Sequence, residues 1–267
     1  MAMSANAEAR QGAVDHALTA LGTVPATLSD ELFSIADVLE GSAQLRRAIT
    51  EPAMPVAQRR AVARQLFAGR VSDAAITVLD EALGQNWRSG GAFVGAIDRQ
   101  GVRALLLVAQ QAGRVDEVDE TLFRFGRIVD ADHALRATLA DRNSPLEARQ
   151  ALVTTLLEGK APSETIALAR RAVAARNRTF DLTLSSYLVV SAALRRHSLA
   201  TVHVASALSA EQEARLEAAL TAQVNRPVTL MVVVDPNLVG GVRVEIGDEV
   251  IDGSVAGRLA AARRQLA

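Results

Sequence analysis

Three observations predict a mostly α-helical chain: two tandem helical-bundle units followed by a small C-terminal α/β domain. The 267-residue sequence is 49% hydrophobic but only 3% aromatic, the balance of an alanine- and leucine-rich helical protein rather than a β-sandwich. It matches itself at an offset of 90 positions through much of its length, the mark of a duplicated structural unit. From Ser198 onward the periodicity shifts toward that of short strands. A chain this long holds two or three domains, each able to bury its own core. The expected division is 1–110, 111–198 and 199–267.

The repeat justifies the helical elements in order. Leu32-Phe33 falls on Leu122-Phe123, Leu45-Arg46 on Leu135-Arg136, Pro55 on Pro145, Arg59 on Arg149 and Leu66 on Leu156. Gly69 then falls on Gly159, Ile76 on Ile166 and Arg88 on Arg178 without a gap. Leu32, Ile35, Val38 and Leu39 recur at helical spacing, as do Leu122, Phe125, Ile128 and Val129, so each set is expected on a buried face. Proline-bearing breaks at 50–55 and 140–145 separate helices, and Gly69 and Gly159 stand where a left-handed residue ends one. Asp116-Glu117 and Asp119-Glu120 crowd a helix start, where the macrodipole favours acids. Trp87 has Asn177 as its counterpart, and a core position is expected for it.

The last third reads differently. The stretch around Val202 and Val204 alternates as a strand. Ser209 with Gln212 forms a capping box before a helix carrying Leu216, Leu220 and Val224. The β-branched run from Val228 to Val234 reads as a buried strand. Val242, Val244 and Ile246 alternate with Arg243 and Glu245, Gly247-Asp248 turns the chain, and Glu249-Val250-Ile251 returns. Asp252 or Ser254 then caps a final helix with Val255, Leu259, Ala262 and Leu266 on one face.

Several chemistries are missing. The chain has 29 Lys+Arg against 30 Asp+Glu and no cysteine, so the total signals no nucleic-acid surface, and disulfides and thiolate metal sites are excluded. Arg170-Arg171, Arg176 and Arg178 form a local basic cluster, without the aromatic residues that stack on single strands. Gly253 to Leu259 lacks the lysine and the spacing of a phosphate loop, and no G-x-G-x-x-G occurs. His16, His133, His197 and His203 sit on separate elements with no ligand spacing. No catalytic, metal or cofactor residue is expected, and the chain does not read as an enzyme. The first ten residues lack the pattern of an export signal. The longest apolar runs, 104–109 and 187–194, are too short to cross a bilayer, so no direct membrane insertion is expected.

The series Asp235-Pro236, Leu238, Gly240-Gly241, Gly247-Asp248, Val250-Ile251-Asp252-Gly253-Ser254 and Gly257-Arg258-Leu259 resembles the C-terminal signature of the delta subunit of F-type ATP synthases, the bacterial counterpart of the oligomycin sensitivity-conferring protein. The resemblance implies a non-catalytic stator subunit of the peripheral stalk, one copy per complex, at the cytoplasmic face of the cell membrane. It implies two partners, the N-terminal segments of the α subunits and the b subunit of the stalk. Val255, Leu259 and Leu266 are the candidate stalk contacts; Asp235, Gly240, Gly241, Gly247, Asp252, Gly253 and Ser254 are structural. Family members usually carry one helical domain, whereas this chain carries the unit twice, leaving open which copy meets the α subunit. A helical-repeat adaptor unrelated to the synthase is the alternative.

Overall fold

The computed structural model describes residues 5–175, 178–196, 198–224, 228–235, 238, 240–246 and 249–252. The chain forms two compact units, Met1–Leu18 with Thr23–Ala192, and Ala193–Ala267 with Thr19–Gly22. Eleven helices make up most of the first: α1 (Ala5–Thr19), α2 (Leu28–Gly41), α3 (Ala43–Thr50), α4 (Val56–Phe67), α5 (Asp73–Gly84), α6 (Gly90–Gln111), α7 (Val115–Ala131), α8 (His133–Ala140), α9 (Leu146–Leu157), α10 (Ser163–Ala174) and α11 (Phe180–Arg196).

The 90-residue offset is physical. The helices α3, α4 and α5 start and end 90 positions before α8, α9 and α10, and α6 starts 90 before α11. The reasons are local and shared. Ser42 accepts a hydrogen bond from the Leu45 amide at 3.3 Å and caps α3, while Asp132 accepts one from the Leu135 amide at 3.0 Å and caps α8. Arg46 donates to the Glu40 carbonyl at the end of α2, and Arg136 donates to the matching Asp130 carbonyl at the end of α7. Arg60 reaches the Asp80 carbonyl at 2.9 Å; Gln150 reaches the matching Arg170 carbonyl at 3.2 Å. Gly69 and Gly159 both have φ +69°, a left-handed turn that a Cβ would strain.

α6 is common to both copies. It packs on α2, α3 and α5, and also on α7 and α10. α2 approaches it closely because Gly101 has no side chain: a Cβ there would lie 2.4 Å from Phe33 Cε1. α1 is clasped to α6 by Asp15, which accepts from Gln100 Nε2 at 2.7 Å and pairs with Arg99 and Arg103.

One expectation fails in both copies. Val38 and Ile128 are 47% and 53% exposed, not in the core. The buried stripe of α2 runs through Leu32, Ile35, Ala36 and Leu39, and Val38 points about a third of a turn away from it; Ile128 stands in the same relation to Leu122, Phe125 and Val129.

The second unit is the expected α/β layer. β1 (Ser198–Val204), α12 (Ala210–Val224) and β2 (Val228–Val234) form a parallel crossover, followed by β3 (Val242–Ile246) and β4 (Glu249–Asp252). The four-stranded sheet runs β2-β1-β3-β4, with β3 antiparallel to both β1 and β4. The capping box is present: Ser209 Oγ accepts from the Gln212 amide at 3.3 Å, and Gln212 Oε1 accepts from the Ser209 amide at 2.8 Å. Ala200, Val202, Val204, Val228, Leu230, Val244 and Ile246 pack with Leu220 of α12 as its core. β2 lies at the sheet edge instead of being buried throughout. Val233 and Val234, at the end of this edge strand, are both exposed. The final helix expected after Ser254 lies outside the described residues.

Two predictions follow from the α6 contacts. Gly101→Ala gains about 1 kcal/mol of helix propensity but drives a methyl into the Phe33 ring, an overpacking cost of about 1–3 kcal/mol. Urea unfolding of the full chain will show a net loss, reduced in the Gly101→Ala, Phe33→Leu double variant. Burial raises the proton affinity of Asp15, yet Arg99, Arg103 and Gln100 outweigh it and hold its carboxyl below the usual aspartate value. A depressed carboxylate contributes stability above the unfolded pKa, which is lost as pH falls through and below about 4. The acid limb of a stability-versus-pH curve will be flatter in Asp15→Asn than in the parent chain.

Candidate docking surfaces

Arg171 joins the two copies. It lies on α10 of the second and points at α2 and α6 of the first. Its Nη1 donates to both carboxylate oxygens of Asp37 at 2.8 Å, and its Nε donates to Asp98 Oδ1 at 2.6 Å. The guanidinium carbon stands 4.6 Å above the centre of the Phe33 ring, a cation–π contact. Two carboxylates share one cation here. Burial raises the Asp98 proton affinity, Arg171 opposes this and Asp37 reinforces it, leaving the carboxyl above its usual range. Burial pulls the Arg171 pKa down, but the bonds and charges of Asp37 and Asp98 outweigh that and hold it above its ordinary value. Burial and the Asp98 charge push the Tyr187 phenol on α11 above its usual range. At the start of α10, buried Glu164 accepts from Arg114 Nη2 at 2.5 Å, anchoring this helix to the turn after α6.

The sequence groups Arg170-Arg171 in a local basic cluster, and the structure divides it. Arg171 turns inward, Arg178 stays exposed and Arg176 lies outside the described residues. No local signal marked the inward turn, because Asp37 and Asp98 lie 134 and 73 residues from Arg171 in sequence. Trp87 is half-buried: its Nε1 donates to the Ala82 carbonyl at 2.7 Å, closing the end of α5, and its ring meets Phe93 edge-on at 6.4 Å.

On the second copy, α8, α9 and the start of α11 border a hollow of about 640 Å³. Val129, Leu139 and Phe180 contribute apolar surface, with Arg136, Arg149 and Arg178 among its cations. Arg149 is committed by Nη1 to the Leu139 carbonyl at 3.0 Å, which holds α8 to α9. Such a surface suits an apolar side chain with a carboxylate neighbour.

Of the signature residues, Asp235 directly follows β2 and its amide donates to the Val204 carbonyl at 2.8 Å. Gly240 and Gly241 precede β3 with φ 156° and 84°, so the chain enters that strand through backbone favouring glycine. Asp252 ends β4 opposite Arg243. Gly247, Gly253, Ser254, Val255, Leu259 and Leu266 lie outside the described residues. Among the described residues no helix is long and apolar enough to cross a membrane, and no cluster of metal-ligating side chains occurs.

These features define a tandem helical-bundle protein with an α/β domain, in which the conspicuous sites are faces for other helices. The family model for the ATP synthase delta (OSCP) subunit matches residues 97–266. The chain is 39% identical over 251 residues to ATP synthase subunit delta of Nocardia farcinica, covering 94% of this chain and 93% of that one. It is 38% identical over 264 residues to ATP synthase subunit delta of Kineococcus radiotolerans, covering 98% and 96%. The chain therefore belongs to the ATP synthase delta (OSCP) subunit family. The family match begins inside α6, whereas the match to the Kineococcus protein extends over the earlier helices as well.

Removing the shared cation will uncouple the copies. Trp87, the single tryptophan, lies in the first copy and reports its unfolding, whereas Arg171 lies in the second. Arg171→Ala will lower the stability read from Trp87 fluorescence by about 2 kcal/mol, less than a fully buried pair costs because Asp37 is well solvated. Arg171→Lys will recover less than half, since an ammonium lacks the planar fork.

Proposed function

We propose that this protein is the stator subunit that ties the catalytic head of an F-type ATP synthase to its b stalk. The observation that carries the reading is the near full-length similarity to ATP synthase delta subunits, helical copies and α/β domain alike. In this reading the chain is a non-catalytic member of the peripheral stalk, one copy per complex, at the cytoplasmic face of the membrane. The copies at 1–110 and 111–198 offer grooves between amphipathic helices, into which the N-terminal segment of an α subunit lays its apolar face. The domain at 199–267 takes the b subunit, with Val255, Leu259 and Leu266 on the contact.

The mechanical requirement explains the architecture. A rotary motor delivers torque only when its head is held against the rotor, so the tie must not release during turnover. Nanomolar binding, about −12 kcal/mol, with a slow off-rate is the order needed. Arg171 supports this role by joining the two copies through ionic and ring contacts, so that load passes between them through packed side chains.

Truncation after Ile251 tests the assignment of the ends. Synthase purified from cells carrying the truncated chain is expected to retain this protein on the head and to lose the b subunit. Retention of b at full occupancy would refute the stalk assignment. Binding of a synthetic α N-terminal peptide by the full chain is expected in the nanomolar to micromolar range, and no binding would remove the head assignment.

A further inference from the structure

We propose that the hollow bordered by α8, α9 and the start of α11 is a binding site for a small molecule, a phosphate monoester with an apolar body. The inference is independent of the stator reading, because it rests on how the two copies differ.

The first copy closes the corresponding place. Gly90 lets the start of α6 settle on α3, since a Cβ there would lie 2.9 Å from Arg46 Cγ and 3.3 Å from Thr50 Oγ1. Trp87 sets its ring against Phe93 and donates to the Ala82 carbonyl. The second copy changes these residues: the counterparts of Gly90, Thr50 and Trp87 are Phe180, Ala140 and Asn177. A phenylalanine does not fit where a Cβ alone would meet its neighbour, so α11 cannot close on α8 as α6 closes on α3. Phe180, Ala140 and Ala172, the counterpart of Ala82, instead line an open volume of about 640 Å³. Small-molecule pockets run from about 300 to 1,000 Å³.

Charge selects the ligand. Arg136, Arg142, Arg149 and Arg178 line the hollow with His133, against Asp130 and Asp181. Four guanidinium groups facing two carboxylates leave an excess of two positive charges. Two of the basic residues, His133 and Arg142, stand where the first copy has Ala43 and Pro52. Among the described residues no carboxylate forms an ion pair with Arg136, Arg149 or Arg178. Asp141 feels the Arg149 charge, but its oxygens already accept from the Ser144 hydroxyl at 2.8 Å and the Asn143 amide at 3.0 Å. A phosphate monoester carries about −1.5 to −2 charge at pH 7, which balances the excess, and guanidinium forks grip its oxygens in pairs. A single carboxylate or a phospholipid diester brings one charge and leaves the rest unmet. Val129, Leu139, Phe180 and Leu182 supply the wall for the apolar body.

The test titrates the full chain into fluorescent 1-naphthyl phosphate and follows anisotropy. Saturable binding in the micromolar to millimolar range is expected, displaced by inorganic phosphate and at least tenfold tighter than that of 1-naphthoate or 1-naphthol. Arg178→Glu should weaken it at least tenfold, and Arg178→Lys should retain most of it. Arg178 is exposed, so both variants keep the fold, which circular dichroism checks. With the ligand bound, amide hydrogen exchange should slow at 133–142 and 178–182 and stay unchanged at the corresponding 43–52 and 88–92. The proposal is overturned by no saturable binding, by indifference to Arg178→Glu, by equal binding of the naphthoate or the naphthol, or by protection confined to other segments. Binding to phosphatidylglycerol vesicles without binding of 1-naphthyl phosphate overturns it too. None of these outcomes touches the stator reading, which stands or falls with the truncation and peptide experiments.

Discussion

One guanidinium sets the geometry of the helical unit. Arg171 reaches from the second copy into a cradle of two carboxylates and an aromatic ring on the first. A planar cation suits this place because it satisfies two acids in its plane and a ring on its face at the same time. The cradle in turn depends on the close approach of α2 to α6, which exists only because position 101 is glycine. Burying charge is expensive unless every partner is present, so the site tolerates little sliding between the copies and specifies their register as well as their contact.

That specificity fits the stator role proposed above. A chain of separate bundles on flexible joints would absorb displacement before it transmitted force. Here α6 serves both copies, the anchored start of α10 fixes its direction through Arg114 and Glu164, and Arg171 locks it in place. The family model begins within α6, so this helix belongs both to the first copy and to the part of the chain that the model matches. The copies share a helix in place of a separate linker, and the cost of ordering such a linker is avoided.

Much of the fold was legible because its signals are local. Proline breaks, the two left-handed glycines, the Ser209–Gln212 box and the alternation in β3 each act within a few residues, and each appears where expected. The matched arginines at 46 and 136 were visible as identities, although their task of gathering helix-end carbonyls was not. Reading failed where the answer depended on what lies across a face. Val38 and Ile128 belong to the periodic pattern yet sit off its buried stripe. Val233 and Val234 have strand chemistry but stand on an edge strand. Arg171 reads as part of a local basic cluster because its partners are 134 and 73 residues away in sequence.

The amino-acid order alone determined the type of elements, the duplication and the family, since propensity, capping and periodicity act within a turn or two of chain. The tertiary structure decided which faces are covered, that the two copies close on a shared cation, and that Phe33 is buried while its twin Phe123 remains in water. The physical reason is range. Backbone preferences are written residue by residue, whereas burial and charge pairing belong to neighbours that only folding brings together.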